Sequence, residues 1–396
     1  MAVPCIGLDG AGSGLLALHV PFQLDYVFDI NEKLRRVLGT IHGPAAANFN
    51  LGPVDGDILL QDISSWHRVD AIVCGPPCQP DSHMGVRRRE DDERASVLDK
   101  VTAIIADQGR KGAYFFIIEM VGGMMDRRTK QGLPSRYHVW LTDVTTAAPM
   151  FNIVTWDLNT ADYLPQHRRR LYTVGINRDF VPRVPINPPM PLGAPLQLAD
   201  VLATGPGLPR DQEATLSPIK RNDLLTLVEI SKARMAPTSR GSPFWMTLPL
   251  DRDMEKTWGM HVRVDGLVET LRTEDEFKWI THVGGHPFLS RCLHPVERLT
   301  LQGFPTSLAA VLSKQEVLLH TGNAFSVPVV AAVLSDVCCM LHDHGLFRLP
   351  GIPRQVEDRG EVAEAIRTFR RARAQELHWE IQAELSQAQA LRRRFQ

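Results

Sequence analysis

The stretch Val3-Pro4-Cys5-Ile6-Gly7-Leu8-Asp9-Gly10-Ala11-Gly12-Ser13-Gly14-Leu15-Leu16-Ala17-Leu18 decides the fold. Val3 to Leu8 is apolar and reads as a strand. A Gly-rich turn follows, and Leu15 onward reads as a helix. Strand, tight glycine turn and helix make the nucleotide-cradling unit of doubly wound α/β folds. The glycines let backbone approach a ligand, and a helix amino terminus offers free N–H groups. A plain turn explains a lone Gly-x-Gly-x-Gly nearly as well, so the rest of the chain must decide.

Working outward, Tyr26-Val27-Phe28 ends on Asp29, followed by Ile30. An acid at a second strand tip suits ribose hydroxyls; a helix cap is the competing reading. Val54-Asp55-Gly56-Asp57-Ile58 places an acid beside an apolar residue at a third strand tip, which suits adenine, or else is a surface turn. Asp70 to Gly75 is a fourth strand and runs into Gly75-Pro76-Pro77-Cys78-Gln79-Pro80-Asp81-Ser82. Two prolines fix φ before the thiol. Cys78 is therefore a candidate nucleophile on a rigid turn, against the alternative of a small buried thiol. An Arg-rich segment, Val86 to Arg94, follows, and then a helix over about 95–107.

A fifth strand, Ala113 to Ile118, ends on Glu119, a carboxylate that is costly there unless paired or functional. Phe151 to Leu158 is a sixth strand and Leu171 to Ile176 a seventh. Between them, Gln166-His167-Arg168-Arg169-Arg170 sends Arg168 and Arg170 to one face and Arg169 to the other, as alternation on a strand requires. From Asn177 the texture turns proline-rich and irregular to about Ser290, the pattern of a smaller, loop-rich domain. Order returns at His294, and an apolar helix follows Gly322-Asn323-Ala324-Phe325-Ser326-Val327. The tail beyond Gly360 has helical spacing, with Val362, Ile366, Phe369, Leu377, Ile381 and Leu385 available to line one face.

The totals narrow the classes. The chain has 396 residues, 44% hydrophobic and 22% charged, with formal charge -1. It has no global positive field, so a nucleic-acid partner must be held by local basic patches. The six cysteines show no C-x-x-C pair, which argues against a zinc site and for a reducing compartment. Cys5, Cys74, Cys338 and Cys339 lie in apolar runs and read as core filler. No apolar run reads as long enough to span a membrane, and no signal-peptide pattern opens the chain.

These blocks, in this order, resemble the S-adenosylmethionine-dependent cytosine-5 DNA methyltransferases from Ile6 to about Leu334. Asp9 to Leu16 is similar to the family's cofactor loop, and Pro77-Cys78-Gln79 to its nucleophile motif. Ser82, Gly85, Arg87, Arg94 and Leu98 match its catalytic loop, and Glu119-Met120-Val121 its Glu-Asn-Val. Gln166, Arg168 and Arg170 match Gln-x-Arg-x-Arg. Leu301-Gln302-Gly303-Phe304-Pro305 and Gly322-Asn323-x-x-x-Val327 match the last two blocks. The departures are Leu8 for an aromatic, Ile6 for an acid common in bacterial members, Met120 for asparagine and Asp81 for phenylalanine.

The resemblance implies a Rossmann-like class I fold with a mostly parallel seven-stranded sheet, a smaller irregular target-recognition domain and a C-terminal helix. The segments are 1–177 for the catalytic and cofactor-binding domain, 178–290 for target recognition, 291–345 for the return to the catalytic domain, and 346–396 for a linker and helical extension. It implies methyl transfer from S-adenosylmethionine, with S-adenosylhomocysteine as product, to carbon 5 of a flipped cytosine in double-stranded DNA. The route is a covalent cysteine adduct. The implied catalytic residues are Cys78, Glu119, Arg168 and Arg170. Asp9, Gly10, Ala11, Gly12, Gly14, Asp29, Ile30, Asp57, Ile58, Pro76, Asn323, Ala324 and Val327 fall to the cofactor; Gln79, Ser82, Arg87 and Arg94 fall to the DNA. A tRNA substrate is the alternative, since the family's tRNA-methylating branch also carries Pro-Pro-Cys-Gln-Pro. A weakly active accessory protein that binds nucleic acid or another methyltransferase through the tail helix is the third reading; that helix is also a candidate for a protein partner or self-association. The expected location is the nucleus in a eukaryote and otherwise the cytoplasm, with no membrane association.

Overall fold

The computed structural model describes residues 1–35, 37, 56–77, 96–125, 134–182, 187–191, 196–201, 244–249, 266–273, 278–283 and 291–349. These fall into two compact units. Among the described residues, one takes those within 1–159, 169–192 and 324–349; the other takes those within 160–168 and 193–323.

The first unit is built on a six-stranded sheet in the order β2-β1-β3-β4-β7-β5. The strands are β1 (Ala2–Val3), β2 (Tyr26–Val27), β3 (Ala71–Cys74), β4 (Phe115–Val121), β5 (Phe151–Asn159) and β7 (Arg169–Asn177). β2, β1, β3 and β4 run parallel, and β7 lies antiparallel between β4 and β5. Every residue of β3 and β4 is buried. That is why both strands read as unbroken apolar runs rather than alternating ones. Helix α1 (Gly10–Ala17) follows β1, and α2 (Ser96–Arg110) follows the nucleophile segment. Val97, Leu98, Val101, Ile104 and Ile105 face the core from α2 at helical spacing. Its buried Gln108 accepts a hydrogen bond from Val69 N at 2.9 Å. α3 (Arg136–Ala147) is capped by Ser135 and buries Tyr137, Trp140 and Val144.

The expected third strand falls on residues outside the described ones; at its expected tip Asp57 accepts from Leu59 N and starts a 3-10 turn over Ile58–Leu60. Gly56, at φ 65, has already left the extended region. Glu119 was expected after the fifth strand but lies inside β4, paired with Tyr172. The first strand is shorter than expected, although Ile6 N still bonds to Phe28 O at 3.0 Å.

The second unit holds β6 (Gln166–His167), which pairs in parallel with β9 (Val268–Glu269), and an antiparallel sheet of β8 (Phe244–Pro249), β10 (Lys278–Val283) and β11 (Arg291–Cys292). It also holds the single turn α4 (Leu198–Val201), then α5 (Pro295–Thr300) and α6 (Lys314–Asn323). α5 opens with a capping box between His294 and Glu297. α7 (Val327–Asp343) returns to the first unit and is buried along most of its length. By length and composition the stretch Lys314–Asp343 passes for a membrane span, contrary to the reading from sequence, but 89% of its most apolar window is buried inside the protein. The expected tail helix lies outside the described residues.

Gly175 in β7 sits opposite Phe116 of β4. A methyl group on Gly175 would come 2.0 Å from Phe116 Cε1. The Phe116 ring also meets Phe151 edge to face at 5.1 Å. Gly175→Ala is expected to cost about 1–3 kcal/mol by overpacking, read as a lower unfolding midpoint, with partial recovery in Gly175→Ala/Phe116→Leu. An unchanged midpoint in the single variant would contradict this packing.

Candidate active site

The site lies where β1, β3 and β4 end. β3 and β4 are parallel with Cys74 level with Ile118, so Gly75 emerges level with Glu119. Pro76 is buried and begins the segment toward Cys78. Cys78, Gln79, Ser82, Arg87 and Arg94 lie outside the described residues.

Glu119 is buried, and its Oε1 lies 3.0 Å from Arg170 Nε, with side chains 8% and 13% exposed. The antiparallel register places Arg170 opposite Val121, two residues from Glu119 along β4 and therefore on the same face. The contact is ionic rather than an aligned hydrogen bond, since Oε1 has no hydrogen-bond partner among the described residues. Two charges held this far from water are retained at a cost in desolvation unless each is matched. A carboxylate has about four lone-pair positions, so Glu119 can accept further donors from a bound base.

The three consecutive arginines go to three places. Arg170 meets Glu119. Arg169 points outward and pairs with Asp157 across β5, as alternation predicts. Arg168 is buried in the second unit, where its Nη1 donates to Gly322 O at 3.2 Å and Leu271 O at 3.4 Å. Gln166 Nε2 donates to Leu301 O at 2.7 Å, and Gln302 Nε2 to Thr321 O at 2.8 Å. Arg298, 1% exposed, donates to Arg272 O at 3.0 Å. A methyl on Gly322 would come 2.5 Å from Thr273 N. Arg168 and Arg298 thus both fasten the 271–273 backbone against the Gly322 region. Arg298 was missed in the sequence, where the adjacent charges Glu297 and Arg298 in α5 give no sign that both are buried.

Asp9 caps α1 from a left-handed conformation, φ 49, and accepts from Gly12 N at 2.8 Å. Two of the glycines after it, Gly10 and Gly14, face protein. A methyl on Gly14 would meet Val330 Cγ1 at 3.2 Å, and one on Gly10 would meet Phe325 Cβ at 2.5 Å. Gly14 therefore lets α1 lie close on α7, and Gly10 admits the Phe325 side chain, uses the sequence reading did not assign. Ala11 and Gly12 are buried in the same turn.

Asp29 accepts from Gly7 N at 3.0 Å and Asn31 N at 2.8 Å. Both bonds leave lone pairs for hydroxyl donors. Ile30 beside it is 78% exposed. An apolar side chain next to a fixed carboxylate fits an adenosine, with the ring on the isoleucine and the ribose on the acid. Asp57 holds Leu59 N at 2.9 Å. Ile58 is turned into the apolar core, whereas Leu60 is 69% exposed. Ala324 and Val327 are buried, and Asn323 is exposed at the end of α6. Leu8 is buried at 1% exposure. Met120 packs in the main apolar cluster, where an asparagine would need polar partners.

Burial pushes the Cys74 thiol well up, and the Cys338 and Cys339 thiols up to about 12. These three are core filler, as the sequence reading expected, and stay protonated near neutral pH; Cys5, expected to be core filler as well, is partly exposed.

A family model described as C-5 cytosine-specific DNA methylase matches residues 29–339. Among curated proteins, the type II methyltransferase M.NlaX of Neisseria lactamica is 26% identical over 293 residues, 74% of this chain and 83% of that protein. The type II methyltransferase M.HpaII of Haemophilus parainfluenzae is 26% identical over 294 residues, 72% of this chain and 76% of that protein. Among solved structures, a DNMT2 variant of Spodoptera frugiperda superposes with a TM-score of 0.52 at 16% identity, covering 85% of this chain and 98% of that one. The Entamoeba histolytica methyltransferase EhMeth gives 0.50 at 13% identity, covering 85% and 97%. At these identities the structural likeness concerns the fold.

The two arginines should respond differently to loss. Arg168→Met leaves two buried carbonyls without their donor and is expected to cost roughly 1–3 kcal/mol of stability, seen as a lower unfolding midpoint. Arg170→Lys is expected to lower kcat by about 10²-fold while moving the midpoint little. The reverse pattern would contradict these placements.

Proposed function

This chain belongs to the C-5 cytosine-specific DNA methylase family, and from that premise we propose how its residues methylate carbon 5 of cytosine in DNA. The observation that carries the proposal is the buried Glu119–Arg170 pair, level with the turn that leads to Cys78.

Cytosine carbon 5 is a poor nucleophile. The Cys78 thiolate adds to carbon 6, forming a C–S bond and leaving an electron pair shared onto carbon 5. S-adenosylmethionine, the family's methyl donor, would supply an electrophilic methyl group on a sulfonium sulfur. Carbon 5 would form the new bond to that carbon as the carbon–sulfur bond breaks, with S-adenosylhomocysteine as the leaving group. Loss of the carbon 5 proton then restores the 5,6 double bond and expels the thiolate. Glu119 accepts a hydrogen bond from the exocyclic amine and holds a proton at ring nitrogen 3, so that the ring takes the thiolate more readily. Arg170 keeps Glu119 aimed and offers positive charge to the cytosine carbonyl oxygen. Asp29 and Ile30 would hold ribose and adenine, while Asp9 fixes the turn at the start of α1.

In a duplex the cytosine is stacked, so it must be flipped to reach these groups. We assign Arg87 and Arg94 to phosphates, Gln79 and Ser82 to the flipped nucleotide, and target reading to the segment 178–290, which contains β8 and β10. With only -1 formal charge overall, DNA affinity rests on such local contacts and should fall with salt.

Duplex DNA carrying 5-fluorocytosine tests the chemistry, because fluorine at carbon 5 cannot leave as a proton and the adduct is trapped. The wild type with S-adenosylmethionine is expected to give a denaturation-resistant complex, Cys78→Ser none, and Glu119→Gln a rate lower by roughly 10²–10⁴-fold. A complex that persists in Cys78→Ser refutes the nucleophile. Methyl transfer to tRNA but not to DNA refutes the substrate.

A further inference from the structure

We infer that Phe325 is a positioning residue: its ring is the spacer that fixes the cofactor turn and the nucleophile turn at one separation. This rests on the roles proposed above for Asp9 to Gly14 and for Cys78.

The two turns leave neighbouring strands. β1 and β3 pair in parallel, with Ala2 level with Ile72. Beyond the paired residues the chain after β1 enters α1 and the chain after β3 turns through Gly75, so sheet hydrogen bonds cease to set their spacing. Phe325 lies between them. A methyl on Gly10 would come 2.5 Å from Phe325 Cβ and 3.0 Å from Cδ2. A methyl on Gly75 would come 2.5 Å from Cε1 and 3.1 Å from Cζ on the same ring. One end of the side chain thus lies against the Gly10 backbone and the other against the Gly75 backbone.

The ring is itself held. Phe325 is 8% exposed and sits two residues before the start of α7. That helix is locked on α1, because a methyl on Gly14 would already press on Val330 Cγ1 and the Ala331 backbone. Packed interiors transmit displacement rather than absorb it. Gly75 is followed at once by Pro76 and Pro77, whose fixed φ leaves little slack before Cys78. The distance from Gly10 to Gly75 therefore enters the distance between methyl donor and thiolate. These must address adjacent carbons of one cytosine ring, where misplacement by about 1 Å costs on the order of 10²-fold in rate.

The contacts make an asymmetric prediction. Gly75→Ala clashes only with the far edge of the ring, so shortening that ring relieves it. Gly10→Ala clashes first with Phe325 Cβ, which alanine keeps. Phe325→Ala is expected to lower kcat at saturating cofactor by roughly 10- to 100-fold, with a smaller change in cofactor KM, per folded molecule as counted by circular dichroism. Gly75→Ala and Gly10→Ala are each expected to lose kcat and unfolding midpoint. Gly75→Ala/Phe325→Ala should recover to the level of Phe325→Ala alone, and Gly10→Ala/Phe325→Ala should not recover. Phe325→Ala with a lower midpoint but unchanged kcat would show plain core filler and overturn the inference. Equal rescue of both glycine variants would overturn it too. With an active wild type these failures count against the spacer alone; a wild type that forms no 5-fluorocytosine adduct counts against the reaction and removes the basis of both.

Discussion

The buried ion pair of Glu119 and Arg170 is the constraint around which the first unit is arranged. A carboxylate inside a strand whose every residue is buried is unfavourable by itself. Its partner has to come from a neighbouring strand, at the right level and on the same face. β7 meets that demand because it runs antiparallel to β4, so residues two apart across the ladder share a face. A parallel strand would arrive from the other end of the sheet after a crossover connection. The single reversal in the parallel sheet is thus tied to the chemistry at its edge: it brings a cation to the carboxylate where β3 also ends.

The arginines around that pair show how one short motif is divided by backbone geometry. Three successive guanidinium groups serve a buried carboxylate, an exposed aspartate and two backbone carbonyls. Their chemistry is identical and only their placement differs. Arg168, grouped with the catalytic set on family pattern, is engaged with the carbonyls of Leu271 and Gly322. In the same unit Arg298, Gln166 and Gln302 make similar side-chain to backbone bonds. Such bonds fasten irregular backbone that no strand ladder would otherwise satisfy, a need that the loop-rich texture beyond Asn177 creates.

Glycine plays two parts in the cofactor turn. Sequence reasoning gave the glycines to ligand approach, and Gly12, which donates to the Asp9 carboxylate, fits a turn held open for one. Gly10 and Gly14 are also contact points for Phe325 and α7. The two uses are compatible, because a helix that begins at a ligand must still lie close on its neighbour. They separate only once the neighbour is known, and that neighbour comes from more than 300 residues away in the chain.

Alone, the sequence determined the α/β class, the order of the described strands along the chain, Glu119, Arg168 and Arg170 as candidate site charges, and the family; that Arg170 and not Arg168 meets Glu119 came from the fold. These follow from local pattern: apolar runs of strand length, charges at their ends, and short motifs in a fixed order. Tertiary structure decided what depends on partners distant in sequence. It gave Asp57 a backbone partner, Leu59 N, in a turn that opens at Gly56. It moved Glu119 from a strand tip to within β4, since β7 continues the pairing past it. It turned Ile58 inward, and it drew Phe325, an unremarked position inside a motif, between two glycines. Periodicity reports which residues avoid water; what they meet is settled when the strands pair and the helices close on them.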